Sequence, residues 1–140
     1  MSEANKQVSR RFTELFSTGD ADAVDQIMTP DVVFQGATPN GPLRGRDEFK
    51  GFLAAYRRAF PTAHSTVEAQ VAEGDTVVTR WRARGTHDGP LGEIPATGRP
   101  FDTHGITIER IEDGRIAEVW VERDQLGLLR QLGAVPAAEA

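Results

Sequence analysis

The 140-residue chain contains no cysteine. Disulfides, thiolate nucleophiles and thiolate zinc sites are excluded together. Histidine is scarce: His64, His87 and His104 are the only ones. No two of them stand at ligand spacing, so no metal is expected. No apolar run approaches the roughly 20 residues that cross a bilayer. The opening MSEANKQVSR lacks the apolar stretch of a signal peptide. Positive charge is in deficit. The 16 Lys and Arg stand against 21 Asp and Glu, a net charge of −5, which argues against a phosphate-backbone partner. The glycines between Gly85 and Gly98 follow a predicted strand, but prolines stand where a phosphate-cradling helix N-terminus is needed. No serine sits in a nucleophile elbow. These absences leave a cytoplasmic domain with neither nucleic acid nor membrane as its partner.

What is present fits one core. Apolar residues at 39% and charged residues at 26% are the proportions of a globular protein, and a chain this long buries roughly 70% of its unfolded surface. No repeat or composition break divides it. Residues 1–133 read as a single domain, and the remaining AVPAAEA, residues 134–140, reads as a loosely ordered tail.

Val8, Phe12, Leu15 and Phe16 recur at helical spacing until Thr18-Gly19. Asp20 then caps a shorter predicted helix with Val24, Ile27 and Met28, ended by Pro30. A short strand is predicted over 31–35, followed by a Gly/Pro-rich loop over 36–45. Phe49, Phe52, Leu53, Tyr56 and Phe60 form the clearest amphipathic helix, with Asp47 and Glu48 at its positive end and Pro61 closing it. The second half reads as sheet. Predicted strands 65–73 and 76–86 flank Gly74-Asp75; strands 100–111 and 116–122 flank Asp113-Gly114, a hairpin signal. A last helix is expected over 124–132, with Asp124 as cap and Gly133 just past its end. Helices first and a strand meander afterwards predict an α+β fold with the helices on one sheet face.

Alternation divides the strands into two faces. One face carries Val67, Ala69, Val71, Thr79, Trp81, Ala83, Thr103, Gly105, Thr107, Ala117, Val119 and Val121. It is neutral and mostly small, and should face the helices. Either a cavity remains between them, or Phe34, Phe52, Tyr56 and Trp81 fill the space. The other face mixes charge with Ile106, Ile108 and Trp120. Arg80, Arg82 and Arg84 are expected to pair with Glu118 and Glu122 across strands. An apolar centre with a charged rim is the anatomy of an interface, so a homodimer through Ile106, Ile108 and Trp120 is expected.

The stretches FSTGDADAVDQIMTPDVVFQG, GRDEFKGFLAAYRRAFP, RWRARGTHDGPLGEIPATGRPF, RIEDGRIAEVW and DQLGLLRQLG resemble the SnoaL-like polyketide cyclase family. The most specific parts are Gly85-Thr86-His87 with Gly89, then Pro95, Thr97 and Gly98, and the ending from Asp124 to Gly133. The resemblance covers nearly the whole chain. It implies the cone-shaped fold of the nuclear transport factor 2-like superfamily, with N-terminal helices packed on a curved, mostly antiparallel sheet. It also implies an intramolecular aldol condensation without metal or organic cofactor. The family's base is an Asp on the last strand, helped by a His on the strand before. Those positions align with Val121 and Thr107, and neither side chain is a base.

The expected function is therefore a cofactor-independent enzyme that binds a polyketide-like or polycyclic hydrophobic molecule and promotes acid/base proton transfer, leading to cyclisation or isomerisation. The alternatives are a non-catalytic binding or dimeric accessory domain, and a cofactor-free hydroxylase on the same fold. His104, Glu122 and Asp124 are the catalytic candidates. His104 and Glu122 fall on the outer face, unless a β-bulge or one-residue slip turns them inward together with Trp120. Asp124 is either a carboxyl at the pocket mouth or an N-cap worth about 1 kcal/mol. The candidates for substrate binding are Phe34, Tyr56, Trp81, His87, Thr107 and Val121. Tyr56 either donates to a substrate carbonyl or packs in the core; Trp81 either stacks on a flat ligand or packs likewise. His87 either lines the entrance or makes a structural hydrogen bond within its turn.

Overall fold

Phe12 and Leu15 are buried on one face of the first helix, α1 (Ser2–Thr18), with Val8 and Phe16 partly buried beside them. Burial of each large apolar side chain stabilises by roughly 1.5–3 kcal/mol, which is what holds α1 against the sheet. The structure, a computed structural model, describes residues 2–36 and 38–135. Gly19, at φ 69°, ends α1 by donating its N–H to the Leu15 carbonyl at 2.7 Å. Asp20 then caps α2 (Ala21–Ile27), accepting from the backbone N–H of Asp22 at 3.0 Å and of Ala23 at 3.3 Å. The third helix, α3 (Gly45–Ala59), has Asp47 and Glu48 in its first turn and Arg57 and Arg58 in its last, matching its dipole. Arg57 also ties α3 to the end of α1, donating to the carbonyls of Phe16 at 3.1 Å and Ala63 at 2.8 Å.

Six strands form one sheet: β1 (Met28–Gln35), β2 (Leu43–Arg44), β3 (His64–Glu73), β4 (Thr76–Thr86), β5 (Pro100–Glu112) and β6 (Arg115–Arg123). Their order is β2-β1-β6-β5-β4-β3, and only β1 with β6 is parallel. The fold is α+β, with a mostly antiparallel sheet. The β5–β6 turn is as the sequence predicts: Asp113 at φ 52° and Gly114 at φ 79° are both left-handed, as a two-residue hairpin requires. The last helix is α4 (Gln125–Gln131), packed against β5.

Several expectations need correction. Met28 starts β1 rather than ending α2, and pairs with Ile116. Pro30 lies inside that strand, where the β1–β6 register is irregular between Met28 and Val33; a residue without an N–H is tolerated where the ladder is already interrupted. The short β2 lies in a segment expected to be loop. A bulge between Val67 and Ala69 reverses the facing of the rest of β3. Gln70 and Ala72 therefore face the helices. Ala69 and Val71, expected inside, face outward, and Val71 is 67% exposed. The ion ladder from Arg80, Arg82 and Arg84 to Glu118 and Glu122 does not form, because β5 lies between β4 and β6. Arg82 pairs instead with Asp102 of β5, Nε to Oδ1 at 2.8 Å, and Glu118 with Arg110 at 3.7 Å. Of the expected tail 134–140, residues 136–140 lie outside those described.

Two apolar clusters fill the space between helices and sheet. The larger gathers Phe12, Leu15, Phe34, Phe49 and Leu53. The smaller, at the other end, gathers Phe60, Ala83, Phe101, Leu128 and Leu132. Trp81 packs against both. Among the described residues no helix is long and apolar enough to cross a membrane.

Candidate active site

The inner face of the sheet is not filled where the two clusters meet. A cavity of about 50 Å³ opens there, walled by Phe12, Thr13 and Phe16 of α1, Phe52 and Tyr56 of α3, and Phe34, Ser65, Trp81, Thr107, Val121 and Arg123 of the sheet. Gly105 explains the position of Trp81. A Cβ at residue 105 would lie 2.5 Å from Trp81 Cζ2, so only glycine lets the indole lie down on β5. The small face expected to leave space thus yields part of it to Trp81, and the remainder is the cavity.

The walls are mostly aromatic and aliphatic, and the polar groups are few. Two of them meet at the rim. Arg123, the last residue of β6, points to the helix side as Val121 does, and burial draws its pKa below the ordinary arginine value, against the opposing influence of Tyr56. Burial pushes the Tyr56 phenol up, with the Ser65 hydroxyl and then the Arg123 charge acting the other way. Tyr56 is therefore a neutral hydroxyl at ordinary pH, and a guanidinium stays protonated there. Phe52, Tyr56 and Arg123 also bound an outer groove of about 380 Å³ that runs past Pro90, Leu91 and Leu128. The cavity and the groove are two sides of one wall of side chains.

The floor of the cavity holds Thr107 and Val121, paired in register on β5 and β6. No carboxylate or imidazole lines it. Directly beneath is Glu109, two residues along the same face and fully buried. The Thr107 hydroxyl donates to Glu109 Oε1 at 3.0 Å. Burial raises this carboxyl to about pKa 7, although the Ser9 and Thr107 hydroxyls favour its charged form.

The structure brings five of the sequence candidates to the cavity wall: Phe34, Tyr56, Trp81, Thr107 and Val121. It does not bring the others there. β5 and β6 pair without interruption from Gly105 to Arg110, so no slip turns His104 or Glu122 inward. Both are exposed on the outer face with Trp120. Asp124 caps α4, accepting from Gly127 N–H at 2.8 Å. His87 is fully buried but outside the cavity. Its Nδ1 bonds the Thr97 hydroxyl at 2.9 Å, and its ring packs on Phe60, so it pins the loop between β4 and β5. Arg123 and Glu109 are the ionisable groups at the cavity that the sequence reading missed, and the Thr13 and Ser65 hydroxyls on its wall were missed with them. Alternation carries Arg123 and Glu109 to the inner face, one step beyond Val121 and Thr107, so the signal was there in the strand period.

A family model described as SnoaL-like polyketide cyclase matches residues 6–132. Over 126 residues the chain is 34% identical to the aklanonic acid methyl ester cyclase DnrD of Streptomyces peucetius, spanning 89% of this chain and 87% of that one. It is 31% identical over 119 residues to the nogalonic acid methyl ester cyclase of Streptomyces nogalater, spanning 84% and 89%. The structure of TsrD from Streptomyces laurentii superimposes with a TM-score of 0.84 at 32% identity, covering 95% of this chain and 97% of TsrD. Agreement in sequence and in three dimensions along nearly the whole chain makes this protein a member of the SnoaL-like polyketide cyclase family.

Proposed function

We propose that the protein is a cofactor-independent cyclase that closes a ring in a polycyclic, polyketide-derived keto ester by intramolecular aldol addition. The observation that carries this reading is the Tyr56–Arg123 pair at the rim of an otherwise apolar cavity. An aldol closure requires a C–H bond beside a carbonyl to lose its proton. The electron pair moves onto the carbonyl oxygen as an enolate, and the enolate carbon then attacks a second carbonyl of the same molecule. A half-buried guanidinium and a neutral phenol supply the positive charge and the hydrogen bond that hold such an oxygen anion, and they act most strongly where water is excluded. The product is an isomer of the substrate, so no redox partner is needed.

Size supports a substrate that spans both spaces. The cavity alone is too small for a polycycle, but with the groove it reaches the roughly 300–1,000 Å³ of ordinary small-molecule sites. Phe52, Tyr56 and Arg123 border both spaces, so a bound polycycle would lie along them. The test is incubation with aklanonic acid methyl ester, the compound named for the relative DnrD. A ring-closed product of unchanged mass is expected. No product, together with unquenched tryptophan fluorescence across a panel of anthraquinone esters, would overturn the reading.

The lack of a carboxylate or imidazole on the cavity wall favours one second reading, a binding or accessory domain without turnover. Quenching without product would select it. The proposal also includes a homodimer through the outer face around Ile106, Ile108 and Trp120, and it keeps the cytoplasmic location expected from the sequence.

A further inference from the structure

Glu109 plays no part in packing that an apolar residue would not play better. It is fully buried, and its Oε2 has no partner at ordinary hydrogen-bond distance. Leaving such an oxygen unpaired costs about 1–3 kcal/mol. Val77 of β4 and Val119 of β6 flank it in register, and α1 covers it with Ser9, whose hydroxyl bonds Thr79 of β4 at 2.7 Å. None of these neighbours is charged or titrates. Thr107 links Glu109 directly to the cavity: its hydroxyl belongs to the cavity wall and bonds Oε1.

We propose that Thr107 and Glu109 together form the base of the cavity, with Thr107 as a hydroxyl relay and Glu109 as the proton store behind it. This inference rests on the cyclase reading above and supplies the step that reading leaves open. As the substrate C–H bond breaks, its proton goes to Thr107 Oγ1, while the proton already on Oγ1 passes to Glu109 Oε1. The electron pair stays on the substrate as the enolate. After the C–C bond forms, the new alkoxide takes a proton from Thr107, and Thr107 recovers its own from Glu109. The cycle closes with no net gain or loss of protons. A hydroxyl by itself is far too weak a base; the carboxylate behind it provides the basicity, and a store that titrates at about pH 7 suits proton transfer in both directions near neutrality. The relay also explains how a cavity with Thr107 and Val121 on its floor does acid–base chemistry.

The test joins two readouts. In turnover of aklanonic acid methyl ester, wild-type kcat should rise with pH through an inflection near pH 7, because the store must be charged to accept a proton. Glu109→Gln should lose about 100-fold in kcat together with the inflection. Thr107→Val should lose as much, and Thr107→Ser should restore most of the rate. A wild-type rate and inflection in either Glu109→Gln or Thr107→Val overturns the relay. The second readout needs no turnover. Difference infrared spectroscopy follows the carboxyl band that Glu109→Gln removes, with and without alizarin as a phenolic probe. Alizarin should move the midpoint of that band in the wild type and not in Thr107→Val. An unmoved wild-type midpoint at every alizarin concentration overturns the relay as well. A moved midpoint with no ring-closed product leaves the relay standing and removes the cyclase reading.

Discussion

A carboxyl sealed between α1 and the sheet links stability to pH, and Glu109 gives that linkage a sign. Its folded value of about 7 stands above the ordinary 4.5, so the folded protein binds this proton more tightly than the unfolded chain. The resulting stability is present in full below pH 4.5 and is lost as pH rises through about 7. The span between those limits is worth about 3 kcal/mol. Urea unfolding of wild type and Glu109→Gln over that interval should show the wild type losing stability relative to the variant as pH rises. Parallel curves would contradict the buried, raised carboxyl. Arg123 makes a separate prediction. Arg123→Gln should lower kcat by about 100-fold with a smaller change in KM, the loss seen when a donor to a developing oxyanion is removed. An equal kcat with a raised KM would show that the guanidinium only helps to bind substrate.

At the scale of elements, Gly105 decides how much room β5 leaves. Gly105→Ala sets a Cβ 2.5 Å from the Trp81 ring and 2.6 Å from the Glu122 carbonyl, so the indole must rise into the cavity. The expected cost is about 1–3 kcal/mol of overpacking, read by urea unfolding, together with weaker binding of anthraquinone ligands. Unchanged affinity would mean that Trp81 does not border the bound ligand. The elements themselves were readable where their signals are local. The stripe Phe49, Leu53 and Tyr56 marks α3, Asp20 and Asp124 cap their helices, and Asp113-Gly114 turns its hairpin as predicted. What could not be read depends on contacts distant in sequence. Nothing in Val67–Ala69 announces the bulge that turns Val71 outward. The placement of β5 between β4 and β6, which forbids the expected arginine–glutamate ladder, is a property of the whole sheet. The site was legible in part for a related reason. Thr107 and Val121 were found by resemblance, whereas Arg123 and Glu109 needed the strand period followed one step further, into residue types usually exposed.

For the molecule as a whole, the homodimer proposed above can be laid out on the exposed outer face. Val71, Val78, Ile108 and Trp120 stand in one row across β3, β4, β5 and β6, and Arg80, Ile106 and Glu122 stand in the next. Ile106, Ile108 and Trp120 are 45%, 40% and 40% exposed, which is unusual for large apolar side chains placed side by side. A two-fold axis running along β5 would lay each isoleucine on its copy, Trp120 on Val78, and Arg80 of one copy on Glu122 of the other. An axis across the strands through the row of Ile106 would instead set Arg80 against Arg80 and Glu122 against Glu122. The Arg80–Glu122 match favours the first arrangement, in which Arg110 of β5 meets its copy with Glu112 and Glu118 already beside it; the arrangement is self-complementary, as a closed two-fold interface must be. Size-exclusion chromatography should find the wild type at twice the 15.3 kDa chain mass and Trp120→Glu as a monomer; a wild-type monomer would remove the dimer altogether. Arg80→Glu and Glu122→Arg should each weaken the dimer by placing like charges together, and the double variant should recover it because the swapped pair attracts again. If both single variants weaken association and the double variant does not restore it, the two copies meet on this face about a different axis.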